Sequence, residues 1–362
     1  MSNDTLIIRK EIENLKAKEF CKEFEKGNRP RFIFGRNEFA ESVINEIKID
    51  GIIDDFTEDK EYFEIPIISI NKVPNNALVL NVVILGKPIL AEKRVSQFQF
   101  QYLDYYSFYK YSSLNIKNVK YWDGMIDDIK TNFDKYQNIY TLLKDDISKN
   151  QFYNIINFRM SYDINFMRGF SAIEHLQYFE DFLNLGDNEV FIDIGGYDGF
   201  TSEEFINRCP NYKSVHIFEP EEKNIKLAKE RLQKFKNINF YDIGLSNKKE
   251  VLKFSTSGSS SKISENGEVE IKVDRLDDVL KEKPTFIKMD IEGAESFAIE
   301  GAKETILKCH PKLALSVYHK KDDFWKIPEQ IFNIRKDYDI YLRHYTEGTD
   351  ETVMYFIPKE IK

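Results

Sequence analysis

The chain has 362 residues, 42% of them hydrophobic and 31% charged, which is enough for more than one average domain and too apolar for a disordered polypeptide. A formal net charge of -9, with lysines interspersed among acids, excludes a general attraction to phosphates, so no nucleic-acid partner is expected. Cys21, Cys209 and Cys309 are too far apart for a disulfide framework or a Cys-rich metal site, and the longest apolar run, 77–85, is too short to cross a membrane.

The opening MSNDTLIIRKEIENLK turns charged before an apolar stretch forms, so it does not read as a signal peptide, and a cytoplasmic protein without a membrane partner is expected. Residues from about 5 to 25 read as a charged amphipathic helix, giving an N-terminal helical segment over 1–28. From Arg31, RFIFG reads as a strand running into a glycine, RNEFAESVINEI as a helix, and DGIIDD and ALVLNVVI as strands. This β-α-β order places a small Rossmann-like domain over 29–97. Its dinucleotide signal is poor. Gly35 stands alone where a phosphate-binding turn needs several glycines, and Asp54 and Asp55 are as consistent with a solvent-facing strand end as with a ribose. Residues 98–185 form an aromatic-rich, mostly helical connector with a break near 145–149, and FSAIEHLQYFEDFLNL at 170–185 has helical spacing.

The strongest pattern begins at 189. EVFIDIGGYDGFTSEEFI reads as a buried strand, a glycine-rich turn and a helix. Asp193 lies near the strand end, Gly195 and Gly196 let the backbone pass close under a ligand, and Gly199 relieves crowding at the helix start. SVHIFEPEEKNIKLAKERL then supplies a second strand ending at Glu219, an acid placed to accept from both ribose hydroxyls. NINFYDIGLS places Asp242 after a third strand, beside an adenine. The loop is DIGGYDG rather than GxGxxG, and three successive strand ends carry suitable groups. These features favour S-adenosylmethionine (SAM), an adenosine ligand without a pyrophosphate, over NAD. In PTFIKMDIEGAESFAIEGAKETI a fourth strand delivers Lys288 and Asp290 to the same edge, followed by Glu292, Gly293 and Glu295. The last strands, KLALSVYH, YDIYLRHYT and TVMYFIP, bring His319 and His344 near it. An acid and two histidines suit acid–base work or a metal, but no compact ligand motif fixes either, and each histidine alone is equally consistent with packing.

FIDIGGYDGFTS, HIFEPEEKN, VDRLDDVL and IKMDIEGAE together resemble the FkbM family of SAM-dependent methyltransferases over about 186–357. The resemblance implies an α/β fold, a Rossmann-like seven-stranded methyltransferase domain over 186–362 behind the smaller Rossmann-like α/β domain and the connector. It implies Asp193, Gly195, Tyr197 and Gly199 around the methionine end of SAM, Glu219 on the ribose, and Asp242 with Ile243 bordering adenine. Gly196-Tyr197 stands where many members have Ala-Asn, so Tyr197 narrows or redirects the pocket. The reaction implied is O-methylation of a sugar, a glycan precursor or a related small metabolite. His319 is the expected base, with His344 as alternate, Asp290 orienting the acceptor or the histidine, and Lys288 a substrate anchor or a partner of nearby acids. A divalent ion on Asp290, Glu292 and His319 is the disfavoured option, so no metal site is expected. The rival readings are an NAD-dependent oxidoreductase on a sugar-like substrate and a non-catalytic SAM-binding assembly protein. The layout also allows a homodimer.

Overall fold

The computed structural model describes residues 5–10, 12–119, 121–257, 260–263 and 269–359. Its first helix spans Leu15–Lys26 and starts ten residues later than the charged pattern suggests. Asn14 caps it through the Ala17 N–H, and the preceding segment is pinned elsewhere: the Leu6 N–H donates to Gln137 and the Arg9 N–H to Asn157. Those long-range bonds compete with local helix formation and win. Gly27, with φ +70°, ends the helix in the left-handed conformation that glycine adopts without strain.

The first sheet is built from β1 (Arg31–Phe34), β2 (Gly51–Ile53), β3 (Glu61–Tyr62), β4 (Ile65–Ile68), β5 (Leu78–Asn81) and β6 (Gln101–Asp104), in the order β3-β4-β2-β1-β5-β6. All neighbours run parallel except β3 with β4. The sixth strand lies beyond residue 97, inside the stretch expected to be connector.

The large sheet takes β7 (Val190–Ile194), β8 (Ser214–Phe218) and β9 (Ile238–Tyr241). A small four-stranded sheet follows, made of β10 (Gly244–Leu245), β11 (Glu250–Ser257), β12 (Ser260–Ile263) and β13 (Val269–Asp274). The chain then returns to the large sheet with β14 (Phe286–Met289), β15 (Lys312–Ser316), β16 (Tyr338–His344) and β17 (Thr352–Pro358), giving the order β16-β17-β15-β14-β7-β8-β9. β17 lies antiparallel between β15 and β16, and the pairs from β15 to β9 are parallel. β7 and β8 are buried at every position, as parallel strands covered on both faces must be.

The chain leaves β7 toward β8 in one direction and β14 toward β15 in the other, so the β7–β14 boundary is the switch point at which open α/β sheets bind ligands. Helices Phe200–Arg208 and Glu222–Leu232 follow β7 and β8, and helices Glu295–Gly301 and Lys303–Cys309 follow β14. Among the described residues no helix is long and apolar enough to cross a membrane.

The expected helix at 170–185 is absent. Only single turns form, at Glu174–Leu176 and Asp181–Leu183, and Tyr178 between them has φ +71°. Its backbone N–H donates to the Tyr355 hydroxyl at 3.0 Å and its own hydroxyl reaches Asp290 at 2.7 Å. Burial of this tyrosine outweighs the helical periodicity of the segment.

Candidate active site at the carboxyl edge of the large sheet

Register alone assembles the site. Met289 pairs with Ile194, Ile194 with Phe218, and Phe218 with Tyr241. The next residue on each strand therefore falls in one row along the carboxyl edge: Asp290, Gly195, Glu219 and Asp242. Four residues read from separate motifs become neighbours because parallel strands end in step.

Gly195 occupies the crowded middle of that row. Its N–H donates to the Phe218 carbonyl at 2.9 Å, its φ is +78°, and a Cβ there would overlap the Asp290 carbonyl. The loop runs on through Tyr197, in a left-handed conformation that bulky residues rarely adopt, to Gly199 at the head of the next helix. The Tyr197 ring is exposed, while its N–H donates to Glu219 Oε2 at 3.0 Å. The other Glu219 oxygen accepts the Glu221 N–H at 2.9 Å, and burial raises its pKa above the ordinary glutamate value. Each carboxylate oxygen keeps a second lone pair, which is what two vicinal ribose hydroxyls require.

Asp193 is fully buried and already engaged. Its Oδ1 pairs with the Lys288 ammonium at 3.0 Å, and its Oδ2 accepts from Ser202 at 2.7 Å. Lys288 also donates to the Gly195 carbonyl at 2.7 Å. Burial works against the lysine's charge, but Asp193 and Asp290 outweigh it and hold the pKa above the usual lysine value. The pair therefore anchors the underside of the glycine loop. Asp242 lies at the outer end of the row, exposed and 3.5 Å from Lys229, and Ile243 beside it packs against the core.

Next to Gly195 the row opens into a cluster of acids and phenols. His319 is buried. Its Nδ1 lies 2.9 Å from Glu295 Oε1, and its Nε2 lies 3.4 Å from Asp290 Oδ1 and 4.0 Å from Glu292 Oε2. Burial alone would strip the imidazole of its proton, yet the three carboxylates, Glu295 foremost, hold its pKa up at about 10. Tyr178 donates to Asp290 at 2.7 Å, and Tyr121 donates to Glu292 at 3.0 Å. Glu351 accepts from Gln177 at 2.5 Å and from Tyr318 at 3.3 Å, and burial, with Asp290 and Asp350 adding to it, pushes its pKa up to about 8. Tyr121, Tyr178, Glu292 and Glu351 all have positive φ, a concentration of backbone strain typical of functional sites.

His344 is not part of this cluster. Its Nδ1 lies 2.8 Å from Thr352, its Nε2 3.4 Å from Thr346, and its ring meets Phe170 edge-on. Burial and then Arg159 push its pKa down to about 3. Glu295, Tyr121, Tyr178 and Glu351 are the participants that sequence reasoning left without roles. Glu295 stood in a quoted motif, but the others come from distant segments without any local signature.

The first sheet offers no comparable row. Asp54 is bound by Arg36 at 2.8 Å, and Asp55 accepts the Ile70 N–H and pairs with Arg94.

Residues 193–347 match the model of the methyltransferase FkbM domain. Among solved structures, a methyltransferase FkbM from Methylobacillus flagellatus KT aligns with TM-score 0.77 at 24% identity, over 98% of this chain and 95% of that one. The shared fold thus includes the N-terminal sheet. The precorrin-6y C5,15-methyltransferase of Geobacter metallireducens aligns over 48% of this chain and 81% of its own, at 18% identity and TM-score 0.32. Aeropyrum pernix fibrillarin aligns over 48% and 67%, at 11% identity and TM-score 0.33. No curated protein matches. The segment 193–347, whose edge carries this row of residues, is an FkbM-type SAM-dependent methyltransferase domain.

Proposed function

We propose that the chain is an O-methyltransferase acting on a hydroxyl of a sugar, a glycan precursor or a related small metabolite. The observation that carries this reading is the adjacency of two halves of one edge: the Gly195–Glu219–Asp242 row, suited to an adenosine ligand, and the Asp290–His319 group next to it.

The residues fit SAM. The glycine loop passes where a side chain would collide, Glu219 keeps two acceptor positions, and Asp242 with Ile243 ends the row on the adenine side. Because Asp193 is already bound by Lys288 and Ser202, its role is to fix the loop. The methionine end of the ligand then meets backbone from Gly195, Tyr197 and Gly199. When bound, SAM supplies an electrophilic methyl on its sulfonium. The chain's task is to place the acceptor hydroxyl in line, exclude water and receive the hydroxyl proton. We assign that proton to Asp290 in place of His319, the base expected from the sequence, because the surrounding carboxylates already hold a proton on the buried His319, and Asp290 is the more exposed of the two. His319, fixed through Nδ1 by Glu295, keeps the carboxylate oriented, and Tyr178 and Tyr121 wall the site.

We further propose three functional units: a first α/β unit ending at Asp104, a connector to 185, and a catalytic unit from 186. The connector contributes Tyr121 and Tyr178, so acceptor choice rests partly on residues outside the catalytic unit. The free cysteines fit a cytoplasmic setting.

Incubating the protein with SAM and a panel of sugars and sugar nucleotides tests the reading. Mass spectrometry should show one added methyl, with formation of S-adenosylhomocysteine (SAH) and strong loss of turnover in Asp290→Asn. Methylation confined to nitrogen or carbon acceptors would refute it.

A further inference from the structure

We propose that the gap between Asp290 and Glu351, over the end of β15, is the acceptor subsite and takes an amino sugar whose free ammonium neighbours the hydroxyl to be methylated. The inference rests on the methyl-transfer reading above and narrows its acceptor class.

Register places the gap. Asp290 follows Met289, which pairs with Leu315, so it stands level with Ser316 and, through β15, with Val353 of β17. Glu351 comes two residues before Val353 on an antiparallel strand and therefore lies past the edge. β17 is on the opposite side of β14 from β7 and β8. An adenosine ligand along Glu219 and Gly195 thus leaves this side of Asp290 to the acceptor. Asp290 and Glu351 are both partly exposed, whereas Gln177, Tyr178 and Tyr318 beside them are buried.

The hydrogen bonds show what the gap asks of a ligand. Tyr178 spends its hydrogen on Asp290 Oδ2 at 2.7 Å, accepts from Gln177 Nε2 at 2.9 Å and lies 3.3 Å from Ser316. Gln177 spends its other amide hydrogen on Glu351 Oε2 at 2.5 Å, and Tyr318 donates to Oε1 at 3.3 Å. The neighbouring donors are consumed in holding the two carboxyl groups, whose remaining lone pairs, once ionised, can only accept. Cations of the chain are committed elsewhere: His319 to Glu295, Lys288 to Asp193, and Lys320 over the Phe297 ring. An ammonium brings three hydrogens and the charge that two adjacent carboxylates lack.

His319 adds a separate observation. Its Nε2 is buried, makes no hydrogen bond and lies 3.4 Å from Asp290 Oδ1. With Nδ1 on Glu295 and the ring protonated, Nε2 is a buried donor without an acceptor, which is costly. A ligand hydroxyl that donates to Asp290 can accept from it. The hydroxyl and the ammonium then meet the same Asp290 carboxylate, so they belong on neighbouring carbons, with Glu351 on the ammonium side.

The test uses the full-length chain loaded with SAH. It is titrated calorimetrically with glucosamine, galactosamine and mannosamine, each beside its N-acetyl form and the matching neutral hexose. At least one free amine should bind at least about tenfold more tightly than its two uncharged counterparts. Glu351→Gln should erase that preference and leave SAH affinity, which reports an intact fold, unchanged. A further measurement needs no variant. Burial, with Asp290 and Asp350 adding to it, raises the Glu351 pKa to about 8 against the pull of Gln177 and His319, so at pH 7 the carboxyl is mostly protonated. An ammonium that ionises it should release about one proton per amine bound, seen by comparing buffers of different ionisation enthalpy. Neutral or N-acetylated sugars that bind as tightly as the amines would overturn the subsite. So would amines that fail to bind through millimolar concentrations, or a preference that survives Glu351→Gln. Amine binding without O-methylation by SAM would defeat the methyl-transfer reading and leave the ammonium contact. O-methylation of neutral sugars alone would defeat only the subsite.

Discussion

Lys288 shows how much of the site is scaffolding. Its ammonium joins β14 to the Asp193 carboxylate of β7 and to the Gly195 carbonyl, at a place water barely reaches. Removing one member of a buried pair strands the other, at a cost of about 3–5 kcal/mol. Lys288→Met should lose about that much in urea unfolding, and Asp193→Asn added to it should recover part. A loss under about 1 kcal/mol would mean that the pair is not buried as described. His344 makes an opposite kind of prediction. Its folded-state pKa is pushed down to about 3 from the usual 6.5, so between those values the unfolded chain binds a proton that the folded chain refuses. Stability therefore falls as pH drops through that window, by up to about 1.4 kcal/mol per pH unit. His344→Gln should flatten the decline between pH 6 and 4 in thermal melts. An unchanged acid limb would show that His344 takes up its proton in the folded state.

At the scale of elements, the sequence reports strand ends well and tertiary partners poorly. Asp193, Glu219, Asp242 and Asp290 were legible because each closes an apolar run, and apolar runs become buried parallel strands. What aligned them was register, which no single run contains. Tyr178 was misplaced in a helix because apolar spacing at 170–185 does satisfy a helix. Only its partners Asp290 and Tyr355, more than a hundred residues downstream, decide otherwise. His319 and His344 looked equivalent as strand-end histidines, but the acids around one and the threonines around the other separate them. The break near 145–149 corresponds to the start of helix Asp146–Ser161. Asp145 there caps the Ser148 N–H at 2.8 Å and pairs with Arg343 of β16 at 2.7 Å. Asp145→Ala removes a cap worth about 1 kcal/mol and leaves the largely buried Arg343 to the more distant Glu180, 3.6 Å away, so about 2–3 kcal/mol should be lost. Urea midpoints of this variant and Arg343→Met, alone and combined, would show the coupling. Strict additivity would contradict it.

For the whole molecule, the first sheet is joined to the large sheet through the loop after β16. The Glu347 N–H donates to the Gly86 carbonyl at 2.7 Å, the Glu347 carboxylate accepts the Leu90 N–H at 2.9 Å, and a Cβ on Gly348 would come within 2.6 Å of the Ile84 carbonyl. The same loop leads to Glu351, so the N-terminal sheet buttresses one wall of the candidate site. The weak dinucleotide signal at Gly35 agrees with a structural task for that sheet, since its strand-end acids are spent on Arg36 and Arg94. The large sheet's edge is where free acceptor positions remain, and an adenosine ligand is the central claim. Calorimetric titration with SAH tests it most directly. The account predicts one SAH per chain at micromolar affinity, weakened at least about tenfold in Glu219→Gln, where one of the carboxylate's acceptor oxygens is lost, and retained in His319→Ala. A folded wild-type chain that binds no SAH would contradict it.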